Sequence, residues 1–253
     1  MATSIVDARW NFKGNIKVGN IATWSTLPGD KEYITDYGVI KGTCGGCCEH
    51  CGHAEEGKCP PCYVFKSHRY SSVVKGQARN TISMRNNPQL AFKQLSDALD
   101  RKRNPINAGR FDQSGEIEDV QQHEGMCFVA ENHKGTPFYI YSKKYGIIIP
   151  RLLNGSVPKN FTHNISVWHE QGIEEYLRVA HLPNAKAFVY CDKNKDPKNG
   201  WGPEEYARHG LEIQTFCMAY DINGKMNHKV TCDVCKKCFN RSPKAKVIGC
   251  WDH

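Results

Sequence analysis

Cysteine is the residue type best placed to do chemistry in this chain. It occurs 13 times in 253 residues, unevenly. Six cysteines fall between Cys44 and Cys62 (Cys44, Cys47, Cys48, Cys51, Cys59, Cys62) and four near the C-terminus (Cys232, Cys235, Cys238, Cys250). Only Cys127, Cys191 and Cys217 lie between the groups. Cys44, Cys48 and Cys51 have the spacing C-x3-C-x2-C. A loop so spaced can wrap three thiolates around three irons of a cubane cluster and leave the fourth iron open to a small molecule. Cys232, Cys235 and Cys238 form C-x2-C-x2-C, and Cys250 completes a ligand set for a closed cluster. Zinc is the alternative metal, since Cys47 or Cys48 with Cys51, and Cys59 with Cys62, could supply a tetrahedral site. Two separate groups of soft ligands at tight spacing favour iron and sulfur over zinc.

Compartment decides how these thiols should be read. The segment Met1 to Trp10 lacks the basic and apolar regions of a signal peptide, and the longest apolar patch, Tyr145 to Leu153, is short and interrupted by Pro150 and Arg151. A cytoplasmic protein with no membrane span is expected, and cytosolic thiols stay reduced, which points to metal rather than disulfides. Hydrophobic residues make up 40% and charged residues 24%, the composition of a soluble globular protein with a real core, not of a disordered, collagenous or membrane chain. The net charge of +8 is uneven. Residues 225–246 carry Lys225, Lys229, Lys236, Lys237, Arg241, Lys244 and Lys246 against Asp233 alone. Such a tail suits contact with nucleic acid. It equally suits compensation of the negative charge that four thiolates leave on a cluster.

The elements that must position these groups alternate strand and helix. Strands are expected at Val39–Thr43, Ile106–Phe111, Pro137–Ser142, Asn164–Trp168, Ala187–Cys191 and Ile213–Ala219. A helix starts at Pro88 behind the cap Asn87, with Ala91, Phe92, Leu95, Ala98 and Leu99 on one face. Further helices are expected within Ile117–Phe128, at Tyr145–Leu153, around Ile173–Ala180 and at Pro203–Arg208. Six strands with helical crossovers imply a parallel α/β body over residues 37–222 with a Cys-rich loop at 43–63. An N-terminal arm (1–36) and a Cys-rich metal-binding tail (223–253) flank it. Six units fall short of a complete eight-stranded barrel, so an open doubly wound sheet and a partial barrel both fit the alternation. Because the expected first strand runs into Cys44, the first cysteine group should lie at the C-terminal edge of the sheet, where α/β proteins place active sites. Arg110, Asp112, Glu116, Lys143, His169 and Asp192 should reach the same edge. Cys127 reads as a small buried hydrophobe, and Cys191 and Cys217 as core residues or further ligands facing the first group.

The C-x3-C-x2-C loop after the first strand resembles radical S-adenosylmethionine enzymes. That resemblance implies a partial (β/α)6 barrel and S-adenosylmethionine bound at the open iron. It also implies that Ser114, Gly115 and Glu116 are the counterpart of the Gly-Gly-Glu-like motif that holds the cofactor's amino group. The position before the third cysteine is His50, where those enzymes commonly carry an aromatic residue.

A second resemblance spans nearly the whole chain. The run Asn15-Ile16-Lys17-Val18-Gly19-Asn20-Ile21-Ala22-Thr23-Trp24-Ser25, then Thr43-Cys44, Cys62-Tyr63, Arg110 with Ser114-Gly115-Glu116, Tyr141-Ser142-Lys143 and a Cys-rich segment ending in His253 resembles the phage gene product 88 family. It implies a phage or prophage origin, hence the host cell cytosol, and a metal-bearing α/β body. It also makes Cys44, Cys59 and Cys62 a rival ligand set. The expectation is an iron-sulfur protein with one open and one closed cluster, leaning toward a radical S-adenosylmethionine-like redox enzyme served by a reductant or electron-transfer partner. The alternative is a non-enzymatic zinc or iron-sulfur module that contacts nucleic acid or a phage protein through its basic tail.

Overall fold

A computed structural model describes residues 6–13, 17–45, 63–168, 170–191, 201–219, 221, 225, 227 and 229–251. In chain order its elements are β1 (Ile21–Thr23), β2 (Glu32–Thr35), β3 (Gly38–Lys41), α1 (Ser71–Asn86), α2 (Pro88–Asp100), β4 (Ala108–Arg110) and α3 (Val120–Asn132). There follow β5 (Phe138–Ser142), α4 (Tyr145–Leu153), β6 (Phe161–Val167), α5 (Glu170–Val179), β7 (Ala185–Cys191) and α6 (Pro203–Arg208), then β8 (Thr215–Phe216), α7 (Cys232–Cys235) and β9 (Val247–Trp251). Seven strands form one sheet in the order β1-β4-β5-β6-β7-β9-β8, and every neighbouring pair is parallel. Helical crossovers return the chain between successive parallel strands, so the α/β class read from the alternation is the one observed.

Four elements differ from expectation. Val39–Thr43 does not begin the sheet. Gly38–Lys41 pairs only with Glu32–Thr35 in a separate antiparallel hairpin that leaves Ile34 and Val39 exposed. Its place is taken by Ile21–Thr23, from the segment read as an arm, which pairs with β4 and carries Trp24 into the core. Val247–Trp251, read as part of a metal-binding tail, is an interior strand between β7 and β8. Helix α1 had no apolar signature because its buried face is polar: Asn80 bonds the backbone of Arg9 and Ser25, and the Thr81 hydroxyl accepts from Leu27 N at 2.9 Å.

Side chains alternate between the two faces of a strand, and parallel register carries the alternation across the sheet. One face, with Phe138, Ile140, Phe161, Ile165, Val167, Ala187 and Val189, is wholly buried in the main core. Its aromatic centre is Phe111, stacked on Phe138 at 5.6 Å and edge-on to Phe161 at 5.5 Å. Within this core lies a polar pair, His123 of α3 and His163 of β6, with Nε2 atoms 2.7 Å apart and no solvent exposure. Burial, with the Arg151 charge nearby, keeps both neutral, at about 2 for His123 and about 3 for His163. Among the described residues no helix is long and apolar enough to cross a membrane.

Candidate functional site

Of the first six cysteines only Cys44 belongs to the described residues; Cys47, Cys48, Cys51, Cys59 and Cys62 lie outside them, as do His169 and Asp192. Cys44 sits where the sequence places it, beyond the C-terminal ends of the strands, with its N–H on Gly29 O at 3.1 Å. Thr43 beside it anchors the predicted cofactor motif: its hydroxyl accepts from Glu116 N at 2.9 Å and lies 3.0 Å from the Thr26 hydroxyl. Ser114 donates to Thr26 O. Gly115 has φ +86°, and a Cβ there would fall 1.9 Å from Thr26 Oγ1, so only glycine lets the loop close against Thr26 and Thr43. Glu116 is buried, and its two carboxylate oxygens accept from Ile117 N (3.1 Å) and Lys143 N (3.0 Å). Asp112 is buried beside them and accepts from Gln122 Nε2 at 3.1 Å; burial, reinforced by the Glu116 charge, pushes its carboxyl well up. The fold thus joins Thr26, Thr43, Ser114 and Glu116 in one buried polar network, with Cys44 half-buried next to Thr43.

The second face of the sheet carries Arg110, Tyr139, Tyr141, Thr162, Asn164, Ser166, Lys186 and Cys250. Among the described residues, helices α1–α6 contribute to the core on the other face and not to the cluster on this one. The cysteine loop covers it, pinned at five places. Cys232 N donates to Lys17 O at 2.9 Å, and Asp233 accepts from Asn20 N at 3.0 Å. Burial raises the Asp233 carboxyl, but hydrogen bonds from Thr231, Asn20 and Asn107 outweigh it and hold the group below the usual range. Gly19, at φ +68°, makes room: a Cβ would lie 2.0 Å from Asp233 Oδ1. Asn164 Nδ2 reaches Cys238 O at 3.1 Å, and Phe239 packs on Tyr139 at 5.2 Å. Lys186, fully buried, donates to Lys237 O (2.6 Å) and Ala245 O (2.7 Å), and burial lowers its ammonium to about 8.

This docking collects thiols and cations. Lys236, between the second and third loop cysteines, is left-handed at φ 58° and donates its N–H to Cys232 O, which folds the loop back on itself. Cys232 and Cys238 pack against the cluster of Val18, Ile21, Tyr139 and Phe239, and burial raises the Cys232 thiol against the opposing charges of Arg110 and Lys17. Tyr141 and Cys238 pack against the same cluster of Tyr139 and Phe239, and burial pushes the Cys238 thiol up to about 12. Cys217, read as a core residue or a ligand of the first group, instead lies beside Cys250, its N–H on Gly249 O at 2.7 Å, while the Cys250 thiol donates to Trp251 O. Cys191 points to the opposite, apolar face, and Cys127 is buried against His123. Burial raises both to about 12, as for inert core thiols. Among the described residues, no three His, Cys, Asp or Glu side chains form a group that could hold a metal ion as they stand.

The basic tail divides in two. Lys237 and Lys246 turn inward: Lys237 Nζ bonds Thr215 Oγ1 (2.5 Å) and Phe216 O (3.1 Å), and Lys246 Nζ reaches the carbonyls of Ala180, Leu182 and Ala185. Lys236 and Arg241 instead face an open groove of about 1230 Å³ at the N-terminal edge of the sheet, with Lys134 and Lys159 on its other wall and Glu131 its one acidic residue. Asn160 closes that wall by donating to the carbonyls of Ala130, His133 and Thr136.

An all-parallel α/β sheet with helices on one face and a docked cysteine loop on the other defines the class. The family model Gene product 88 matches residues 15–241, and the chain belongs to that phage family. The match spans β1, the Thr43-Cys44 network and the docked loop. No curated protein and no solved structure matches the chain. The likeness to radical S-adenosylmethionine enzymes therefore gains nothing from these comparisons.

Proposed function

We propose that this phage-family protein binds metal through its C-terminal cysteines, as an iron-sulfur cluster before zinc. The observation that carries the reading is the docking of the C-x2-C-x2-C loop on one sheet face, with Cys232 and Cys238 both packed against the cluster of Val18, Ile21, Tyr139 and Phe239. Thiolates bound to iron leave a negative centre, and the charges of Lys17 and Arg110 near Cys232 suit it. Zinc would need only four of the same sulfurs. Anaerobic purification with iron, sulfide and zinc analysis and a visible spectrum tests the reading. A brown protein with matched iron and sulfide is expected; a colourless, metal-free protein contradicts it.

A redox role at the C-terminal edge is the finer reading. There Cys44, with Cys48 and Cys51 or with Cys59 and Cys62, would hold an open cluster next to Glu116. Because both Glu116 oxygens already accept backbone N–H groups, S-adenosylmethionine would have to share that carboxylate through its remaining lone pairs. Reductive titration with S-adenosylmethionine decides it: cleavage to 5′-deoxyadenosine supports the enzyme, and no binding leaves a cluster carrier served by an electron-transfer partner.

The groove favours a second reading, contact with nucleic acid. Lys134, Lys159, Lys236 and Arg241 could neutralise phosphates, and exposed Phe128 on the same groove offers a stacking surface. Salt-dependent binding of single-stranded oligonucleotides, lost on reversing these four charges and kept on reversing Lys225 and Lys229, is the expected result. Binding that ignores the groove charges rules the groove out.

A further inference from the structure

We infer that metal in the cysteine loop controls the basic groove: the loop is one wall of that groove, and nucleic acid binds tightly only while metal holds the wall in place. The inference names the regulation of the groove and rests on both readings above. The two walls have different foundations. Lys134 and Lys159 stand on a fixed one, ahead of β5 and β6, where Asn160 Nδ2 ties together the carbonyls of Ala130 (2.9 Å), His133 (3.1 Å) and Thr136 (2.8 Å). Lys236 and Arg241 stand on the loop itself, Lys236 between Cys235 and Cys238 and Arg241 just beyond them. The regular structure of that loop, among the described residues, is the four-residue α7 and a 3-10 turn at Pro243–Ala245. Of its large apolar side chains Phe239 is buried and Val234 is 70% exposed, so apolar burial alone holds it weakly. Ligation supplies the missing order, because the binding energy of a metal site built from a short loop is folding energy.

The seam between loop and sheet runs through the groove. Asn107, on its lining, donates to Asp233 Oδ2 at 3.3 Å, and Phe239, also on the lining, packs on Tyr139. Holding Cys235 and Cys238 on one metal fixes the two residues between them, with Lys237 turned inward to Thr215 and Lys236 left on the groove. Charge alone predicts the opposite effect of metal. Thiolates on zinc or on a cubane leave a negative centre, whereas stripped thiols regain protons, so a rigid stripped protein would attract phosphates more strongly. Loss of the wall takes two of the four cations out of the groove and outweighs that gain. For a single strand, log K falls with log salt with a slope of about −0.7 per phosphate contact, so the slope should shrink from about −2.8 to about −1.4.

Fluorescence anisotropy of a labelled single-stranded oligonucleotide tests this, with the full chain titrated as purified with its metal, after chelation under reducing conditions, and after reloading. Stripping is expected to weaken binding roughly tenfold or more at 0.1 M salt and to halve the salt slope, and reloading to restore both. Equal or tighter binding by the stripped protein overturns the inference. A double variant, Lys236→Gln with Arg241→Gln, separates loss of the wall from loss of the fold. In its metal-loaded form it should already show the weakened binding and the halved slope, and stripping it should cause no further loss. A full further loss on stripping means that more than the loop wall depends on metal, and overturns the inference as well. Metal-free wild-type protein would instead remove the metal reading, and metal-loaded protein that binds no oligonucleotide would remove the groove reading, so the failures are told apart.

Discussion

The two faces of the central sheet are built on opposite terms. The helix-covered face is aromatic and aliphatic, and burying it is what holds the domain together. Even the polar pair His123 and His163 is sealed and neutral. The loop-covered face adds to a small apolar cluster around Tyr139 two cations, an amide, hydroxyls and a thiol, each of which costs free energy to desolvate unless it finds a partner. Partners are found in the cover: Lys186 takes two tail carbonyls and Asn164 bridges Ile140 O to Cys238 O. An apolar face would close more simply. A buried polar face closed by specific hydrogen bonds selects one cover in one position, and here that cover carries the cysteines.

The largest expected break in this contrast comes from acid. The unfolded chain protonates both core histidines below about 6.5, whereas the folded chain holds them neutral down to about 3 for His163 and about 2 for His123. The unfolded state therefore binds more protons in that window, and stability falls as pH drops from about 6.5, by up to about 1.4 kcal/mol per pH unit for each histidine. Urea unfolding at pH 7, 6 and 5 measures the slope, and His163→Gln should roughly halve it. Next is Phe161→Ala in the fully buried aromatic centre. It should cost about 3–5 kcal/mol in the same assay and leave the metal content of the folded fraction unchanged.

Breaking the other face should do the reverse. Gly19→Ala puts a methyl group into Asp233 at a left-handed position and should undock the loop. The expected signs are rapid proteolysis between residues 219 and 246 and loss of metal, at a stability cost of about 1–3 kcal/mol. Smallest is reversal of Lys134 and Lys159 in the groove, which should change stability by less than about 0.5 kcal/mol while weakening oligonucleotide binding.

Much of the helix-covered face was legible in sequence because its signals are local. Asn87 caps α2 through Leu90 N as its position before Pro88 implied, and α4 and α6 have the predicted bounds. Helix α1 was not legible, since Asn80 and Thr81 fill the buried positions that periodicity expects to be apolar. Strands β1 and β9 were hidden by the labels arm and tail, although Val247–Trp251 is a strong strand former. On the loop-covered face, spacing grouped Cys232, Cys235 and Cys238, whereas the nearness of Cys217 to Cys250 was not legible, because neighbours on adjacent parallel strands are far apart in the chain and register alone joins them. The Ser114-Gly115-Glu116 motif was legible as a cluster, whereas the engagement of both Glu116 oxygens by backbone amides was not.

The most direct measurement is alkylation of each cysteine in the native protein, read by mass spectrometry before and after the metal is stripped. If the loop-covered face is the metal site, Cys232, Cys235 and Cys238 are protected together and become reactive together on stripping, while Cys127 and Cys191 on the apolar face stay unreactive in both states. Equal labelling of the three loop cysteines before and after stripping would contradict a metal centre on that face.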